Sequence, residues 1–122
     1  MVWDDTKECI IVDAGNMVEG ENKILEEMIS SRGLKPVMAV NTHGHFDHVG
    51  AVEEIVEKTG CKLSMTEADW SQRISPMTAY FYPLANCDFT EVQLCEDGEV
   101  IHAGGLRFTV MTTPGHTWGS VC

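Results

Sequence analysis

Pro36-Val37-Met38-Ala39-Val40-Asn41-Thr42-His43-Gly44-His45-Phe46-Asp47-His48 joins two signals in one stretch of chain. Its first five residues are almost all apolar, the pattern of a strand buried on both faces. Three imidazoles and a carboxylate then follow within six consecutive positions, His43 to His48. Neutral imidazole and carboxylate are the donors that suit zinc, iron and manganese, so the run reads first as a metal site. In extended backbone, residues two apart point the same way, which lets His43 and His45 grip one ion together. Asp47 and His48 lie further on, at the start of the next helix, and face a neighbouring position close enough for a second ion. Asp47 also has the chemistry of a helix cap.

Working outward, each flank alternates strand and helix. Glu8-Cys9-Ile10-Ile11-Val12-Asp13 is a β-branched run stopped by Ala14-Gly15-Asn16, a strand. Before it, Asp4-Asp5-Thr6-Lys7 has hairpin-turn chemistry, leaving Val2-Trp3 as the stub of an earlier strand. From Glu21 to Arg32, Ile24, Leu25, Met28 and Ile29 mark one face of a helix that Gly33 closes. Beyond the histidines, a second helix carries Val49, Val52, Ile55 and Val56 on one face and Glu53, Glu54, Glu57 and Lys58 opposite. Gly60 ends it, and Cys61-Lys62-Leu63-Ser64-Met65 is another short strand. Strand, helix, strand, helix, strand implies parallel pairing with right-handed crossovers, an α/β fold. The histidine run then sits at the C-terminal end of a buried parallel strand, where open α/β sheets place their ligands.

Thr66-Glu67-Ala68-Asp69 resembles a capping box opening a short helix through Trp70 and Ile74. Residues from Ser75 to Asp88 read as irregular, with Tyr80-Phe81-Tyr82 as a satellite of the core under a long loop or, as the alternative, a wall for substrate. Two hairpin strands finish the chain. Val92 and Leu94 lead to a turn at Glu96-Asp97-Gly98, and after Val100-Ile101 and Gly104-Gly105 the residues Leu106, Phe108 and Val110 alternate toward one face. Thr112-Thr113-Pro114-Gly115-His116 follows directly, in a turn rigidified by Pro and Gly. Catalytic zinc commonly takes three protein ligands and a water, so the pair His43 and His45 gains its third imidazole in His116. His102 has no such company and reads as a solvated strand-end residue.

Length and composition fit a single domain spanning residues 1–122. A hydrophobic content of 43% argues against disorder. The formal net charge of −11, with no Lys/Arg run, argues against a nucleic-acid partner, since such a surface repels phosphate. Five cysteines without a C-x-x-C pair read as free thiols in a reducing compartment. The opening Met1-Val2-Trp3-Asp4-Asp5 turns acidic at once, unlike a signal peptide, and no apolar stretch is long enough to span a bilayer. The expectation is a cytoplasmic protein without a membrane partner.

His43-Gly44-His45-Phe46-Asp47-His48, taken with Thr113-Pro114-Gly115-His116-Thr117-Trp118-Gly119-Ser120, resembles the metallo-β-lactamase superfamily. Within it, Asn41 to Ala51 is similar to the hydroxyacylglutathione hydrolase, or glyoxalase II-like, branch. Val12-Asp13-Ala14-Gly15 also resembles the family's strand-ending Asp-x-Gly, in which Asp13 would support the metal loop from behind. The resemblance implies an αβ/βα sandwich of two similar halves, here truncated to the first half plus the start of the second. It implies one ion held by His43, His45 and His116 and another held partly by Asp47 and His48. Zinc is the expected metal, as one or two ions, with iron or manganese as alternatives. A metal-held hydroxide would attack a small-molecule thioester or other carbonyl, with Asp47 as the catalytic residue that orients water or passes a proton to the leaving group. Zinc lowers the pKa of bound water to about 7, which agrees with that chemistry.

Family members continue past the third histidine motif with an aspartate that bridges the metals and a further histidine, neither of which this chain contains. The second site is therefore expected to be incomplete and one face of the sandwich to be uncovered, which favours association. Three explanations compete: a fragment of a longer gene product, assembly with another copy or a partner that completes the fold, or a degenerate non-catalytic relative. The leading functional reading is a metal-dependent thioester hydrolase. Its alternatives are a metal-binding domain without turnover and an oxidoreductase resembling the mononuclear-iron persulfide dioxygenases.

Overall fold

The computed structural model describes residues 1–15, 20–72 and 92–122. Five strands form one sheet in the order β1-β2-β3-β4-β5, comprising β1 (Val2–Trp3), β2 (Glu8–Val12), β3 (Lys35–Val40), β4 (Lys62–Met65) and β5 (Val92–Leu94). β1 is antiparallel to β2, and the remaining pairings are parallel. The crossovers carry α1 (Glu21–Arg32), then α2 (Phe46–Val49) and α3 (Val52–Thr59), then α4 (Glu67–Gln72). A separate hairpin of β6 (Val100–Ala103) and β7 (Leu106–Thr109) forms the second sheet.

β3 shows why its sequence is apolar without alternation. Ala39 packs with Ile11, Leu63, Val52 and Ile55 on the helix side, where Leu25 and Ile29 of α1 join them. Its neighbour Met38 packs with Ile10, Ile101, Ala103, Val110 and Val121 on the hairpin side. Successive residues of a strand face opposite ways, so a strand between two cores must be apolar on both. Pro36 lies within this central strand, where a missing N–H would break the ladder. The pairing slips there: Cys9 opposes Pro36, Ile10 opposes Met38, and Val37 is left over. Prolines in sheets are accommodated at such bulges.

Helix α1 has the bounds its periodicity predicts, and Gly33 closes it in the left-handed conformation at φ 63°. On the outer surface the Lys58 ammonium of α3 contacts Glu26 of α1 and Glu54, an exposed tie of small energetic weight.

Three sequence expectations need correction. The single helix after the histidine run is two helices, α2 and α3. In a continuous helix the Ala51 N–H would bond the Asp47 carbonyl, but it donates to Ala14 O at 2.8 Å instead. Second, Val92–Leu94 does not belong to the terminal hairpin; it adds to the open edge of β4 as a parallel strand. Third, the capping box is only half formed. Asp69 N lies 3.5 Å from Thr66 Oγ1, while the Asp69 carboxylate turns away toward other loops.

Ile74, the irregular stretch from Ser75 and its aromatic cluster Tyr80-Phe81-Tyr82 lie outside the described residues. Among the described residues Cys9, Cys61, Cys95 and Cys122 are free thiols, the first three buried.

Candidate metal centre

The parallel strands end at one edge, and the backbone there is tied strand to strand before the histidines begin. Asp13 N donates to Val40 O and Asn41 N to Ser64 O, each at 2.9 Å. Asn41 is 1% exposed, and its Nδ2 donates to His48 O at 3.0 Å, which holds α2 against the strand end. Asp13 takes a left-handed φ of 50°, uncommon for a residue with a side chain. From there its carboxylate accepts Thr42 N at 2.7 Å and Thr42 Oγ1 at 2.8 Å. Gly15 passes so close to α2 that a Cβ would overlap the Asp47 carbonyl.

These ties set the first two imidazoles. His43 and His45 stand edge to face with ring centroids 4.8 Å apart, and His45 (φ −69°, ψ 152°) is the extended residue from which α2 starts. His116 arrives from the other end of the chain, with centroids 4.7 Å from each of them and its Nε2 2.9 Å from His45 Nδ1. The donor atoms of His43, His45 and His116 all lie within 4.8 Å of one another.

A second group under the same limit is His43, Asp47 and His48. His48 Nε2 is 3.7 Å from Asp47 Oδ2, and His48 Nδ1 is 3.1 Å from Asp13 Oδ2 without forming a hydrogen bond. All five candidate site residues are thus at one strand edge, and His43 belongs to both groups. His102 is not among them; it is exposed on β6.

The donor set fits a divalent cation. His43 is 7% exposed and its Nε2 is buried with no hydrogen-bond partner. Its Nδ1 lies 3.2 Å from Thr42 Oγ1, whose own proton goes to Asp13. The hydroxyl has one proton to give, so it receives from His43 Nδ1, the tautomer that leaves the Nε2 lone pair facing the cluster. Burial, and then the neighbouring imidazoles, push the pKa of His43 down. Burial and His116 do the same to His45, opposed by Asp69 and Asp47. Both effects favour the neutral, ligating form.

Asp69 was hidden from the sequence reading by its resemblance to a cap. It is 1% exposed and accepts from Gly44 N at 2.8 Å, Thr117 Oγ1 at 3.0 Å and Gly119 N at 3.0 Å. Its one legible signal was position, one turn beyond a parallel strand that ends at the same edge as the histidine run. Trp70 packs half-buried against the helix-side core. Trp118, two residues past His116, is 86% exposed.

A family model described as the metallo-beta-lactamase superfamily matches residues 1–122. Among solved structures, the BLEG-1 B3 metallo-beta-lactamase is 25% identical with a TM-score of 0.71, over 98% of this chain and 57% of that one. A beta-lactamase from Chitinophaga pinensis is 25% identical with a TM-score of 0.72, over 94% of this chain and 45% of its own. The metallo-beta-lactamase SMB-1, in a complex with mercaptoacetic acid, shares the fold at a TM-score of 0.76 and 23% identity, over 97% of this chain and 48% of its own. The chain spans about half the length of these structures.

Proposed function

The chain belongs to the metallo-beta-lactamase superfamily, and on that premise we propose that it is the metal-holding part of a hydrolase acting on a small acyl substrate, a thioester of the hydroxyacylglutathione type. The observation that carries this is the convergence of His43, His45 and His116 around the unpartnered, buried His43 Nε2. In this reading these three hold one ion, and His43, Asp47 and His48 mark the side on which a second ion would be held. A divalent cation such as zinc supplies Lewis acidity and an activated water at neutral pH.

The chain's own residues supply the rest. The Asp13–Thr42–His43 chain fixes the His43 tautomer and ring. Asp47, with half its side chain exposed beside the cluster, would orient water or carry a proton to the leaving group. The similarity of Asn41 to Ala51 to the glyoxalase II-like branch supports the thioester as substrate. A second reading is a β-lactam substrate, supported by the 25% identity to two β-lactamase structures.

The deciding experiment loads the purified chain with zinc, iron or manganese and assays a hydroxyacylglutathione and a β-lactam side by side. Thioester turnover that disappears with His116→Ala supports the first reading; β-lactam turnover alone replaces it with the second. Tight metal binding with neither activity would leave a metal-binding domain, and oxygen-dependent thiol oxidation by the iron form would point to an oxidoreductase.

A further inference from the structure

Two loops far apart in sequence must be held in register for three imidazoles to meet, and one buried side chain touches both. The Asp69 carboxylate reaches the first loop at Gly44 N, between His43 and His45. It reaches the second at Thr117 Oγ1 and Gly119 N, immediately after His116. We propose that Asp69 is the positioning residue of the metal centre, a staple that locks the His43–His45 loop to the His116 loop at ion-holding distance.

The physical case starts from cost. A carboxylate that is 1% exposed has given up its water, which is strongly unfavourable unless several donors replace it. Three do, and hydrogen bonds to an ionised acceptor are about twice as strong as neutral ones. Each of those donors belongs to a metal loop and none to α4, so the carboxylate does nothing for its own helix. The second loop is shaped around it. A Cβ on Gly119 would overlap Thr66 Oγ1 and approach Asp69 Oδ1 to 2.5 Å, so only glycine permits the approach. Thr66 completes the contact by donating its hydroxyl to Gly119 O at 2.8 Å. Val121 N also ties the two loops, donating to Thr42 O at 2.9 Å on the strand side of the histidines. Asp69 closes the side beyond them.

The inference rests on the proposed metal-holding role of His43, His45 and His116, so its test has one arm without metal. Asp69→Asn keeps the shape but presents an NH2 group to at least one N–H or O–H donor, so one bond becomes a donor–donor contact. In the 122-residue chain without metal, amide exchange at Gly44 and Gly119 is expected to rise together, by roughly tenfold or more, with Ile10, Ala39 and Leu63 unchanged. In the second arm, Co(II) titration followed by its d–d absorption is expected to show affinity lowered roughly 10- to 100-fold, with altered band positions.

Unchanged exchange at both glycines, or loosening of one loop alone, would overturn the staple; so would wild-type Co(II) affinity in the variant. Wild-type chain that binds no Co(II) would sink the metal reading, while the exchange arm still decides on Asp69. If Asp69→Asn fails to fold, Thr117→Val removes one of the three bonds with the carboxylate kept, and the same paired loosening is required of it.

Discussion

His45 Nδ1 and His116 Nε2 lie 2.9 Å apart although 71 positions separate the residues in sequence. Two imidazole nitrogens at that distance share one proton, and a cation that both can ligate displaces it. His116 is exposed, so removing it sacrifices little packing. His116→Ala is therefore expected to change folding stability by less than about 0.5 kcal/mol, the usual range for a surface substitution. Metal affinity should fall by more than the roughly 10- to 100-fold typical of losing a residue behind the ligands. Calorimetric titration with zinc and a urea melt of the same sample measure both. Retained affinity would remove His116 from the ligand set.

Thr42 serves two partners at once, donating to Asp13 Oδ2 and lying 3.2 Å from His43 Nδ1. Thr42→Val keeps the volume and leaves both partners without the hydroxyl. The expected result is a roughly 10- to 100-fold loss of metal affinity with every ligand still in place. An affinity within twofold of wild type would show that the His43 ring is held by its surroundings alone.

Gly119 is where the His116 loop presses on Thr66 and Asp69. Gly119→Ala forces a methyl into that contact, and overpacking of this kind costs about 1–3 kcal/mol. Gly115, on the same loop, has open space around its Cβ position, so Gly115→Ala should cost much less. Paired urea melts of the two variants test the contrast; equal costs would mean that the loop relaxes freely.

The legible part of the molecule was the part encoded locally. Apolar periodicity gave α1, and the unbroken run Val37 to Val40 gave a strand covered on both faces. The two histidine motifs named the residues that meet, because ligand chemistry is written in residue type. What stayed hidden depends on contacts between distant segments. The break between α2 and α3 follows from Ala51 N bonding Ala14 O, a partner that no window of local sequence contains. Asp69 sits in a Thr-x-x-Asp pattern with a sound local meaning, and only the tertiary fold turns its carboxylate toward Gly44 and Gly119. Val92–Leu94 carries the pattern of a strand but no label saying which edge it joins.

Burial lowers the pKa of both His43 and His45 below the roughly 6.5 of a free imidazole. The sign follows from linkage. As pH falls, the unfolded chain binds protons at these residues before the folded chain does, so acid favours unfolding. Their contribution is intact above about pH 6.5 and is lost as pH drops through the lower folded values. In metal-free protein, the stability of wild type relative to His43→Gln should therefore decline between pH 7.5 and pH 5. A difference that stays flat or grows over that interval would show that His43 is not held neutral by its burial.

Metal removal should lower stability, because a ligand that binds only the folded chain stabilises it by mass action. At free zinc 100 times the dissociation constant, the expected gain is about 2.7 kcal/mol, rising to about 4.1 at 1,000 times. The three donors come from two segments far apart in sequence, His43 and His45 on one and His116 on the other, so unfolding either segment releases the ion. The melting temperature should climb with the logarithm of zinc concentration and return to its metal-free value with a chelator. His116→Ala, with the third donor gone, should show a much shallower climb. An unchanged climb in that variant would take His116 out of the zinc site and leave His43, Asp47 and His48 as the group to test next.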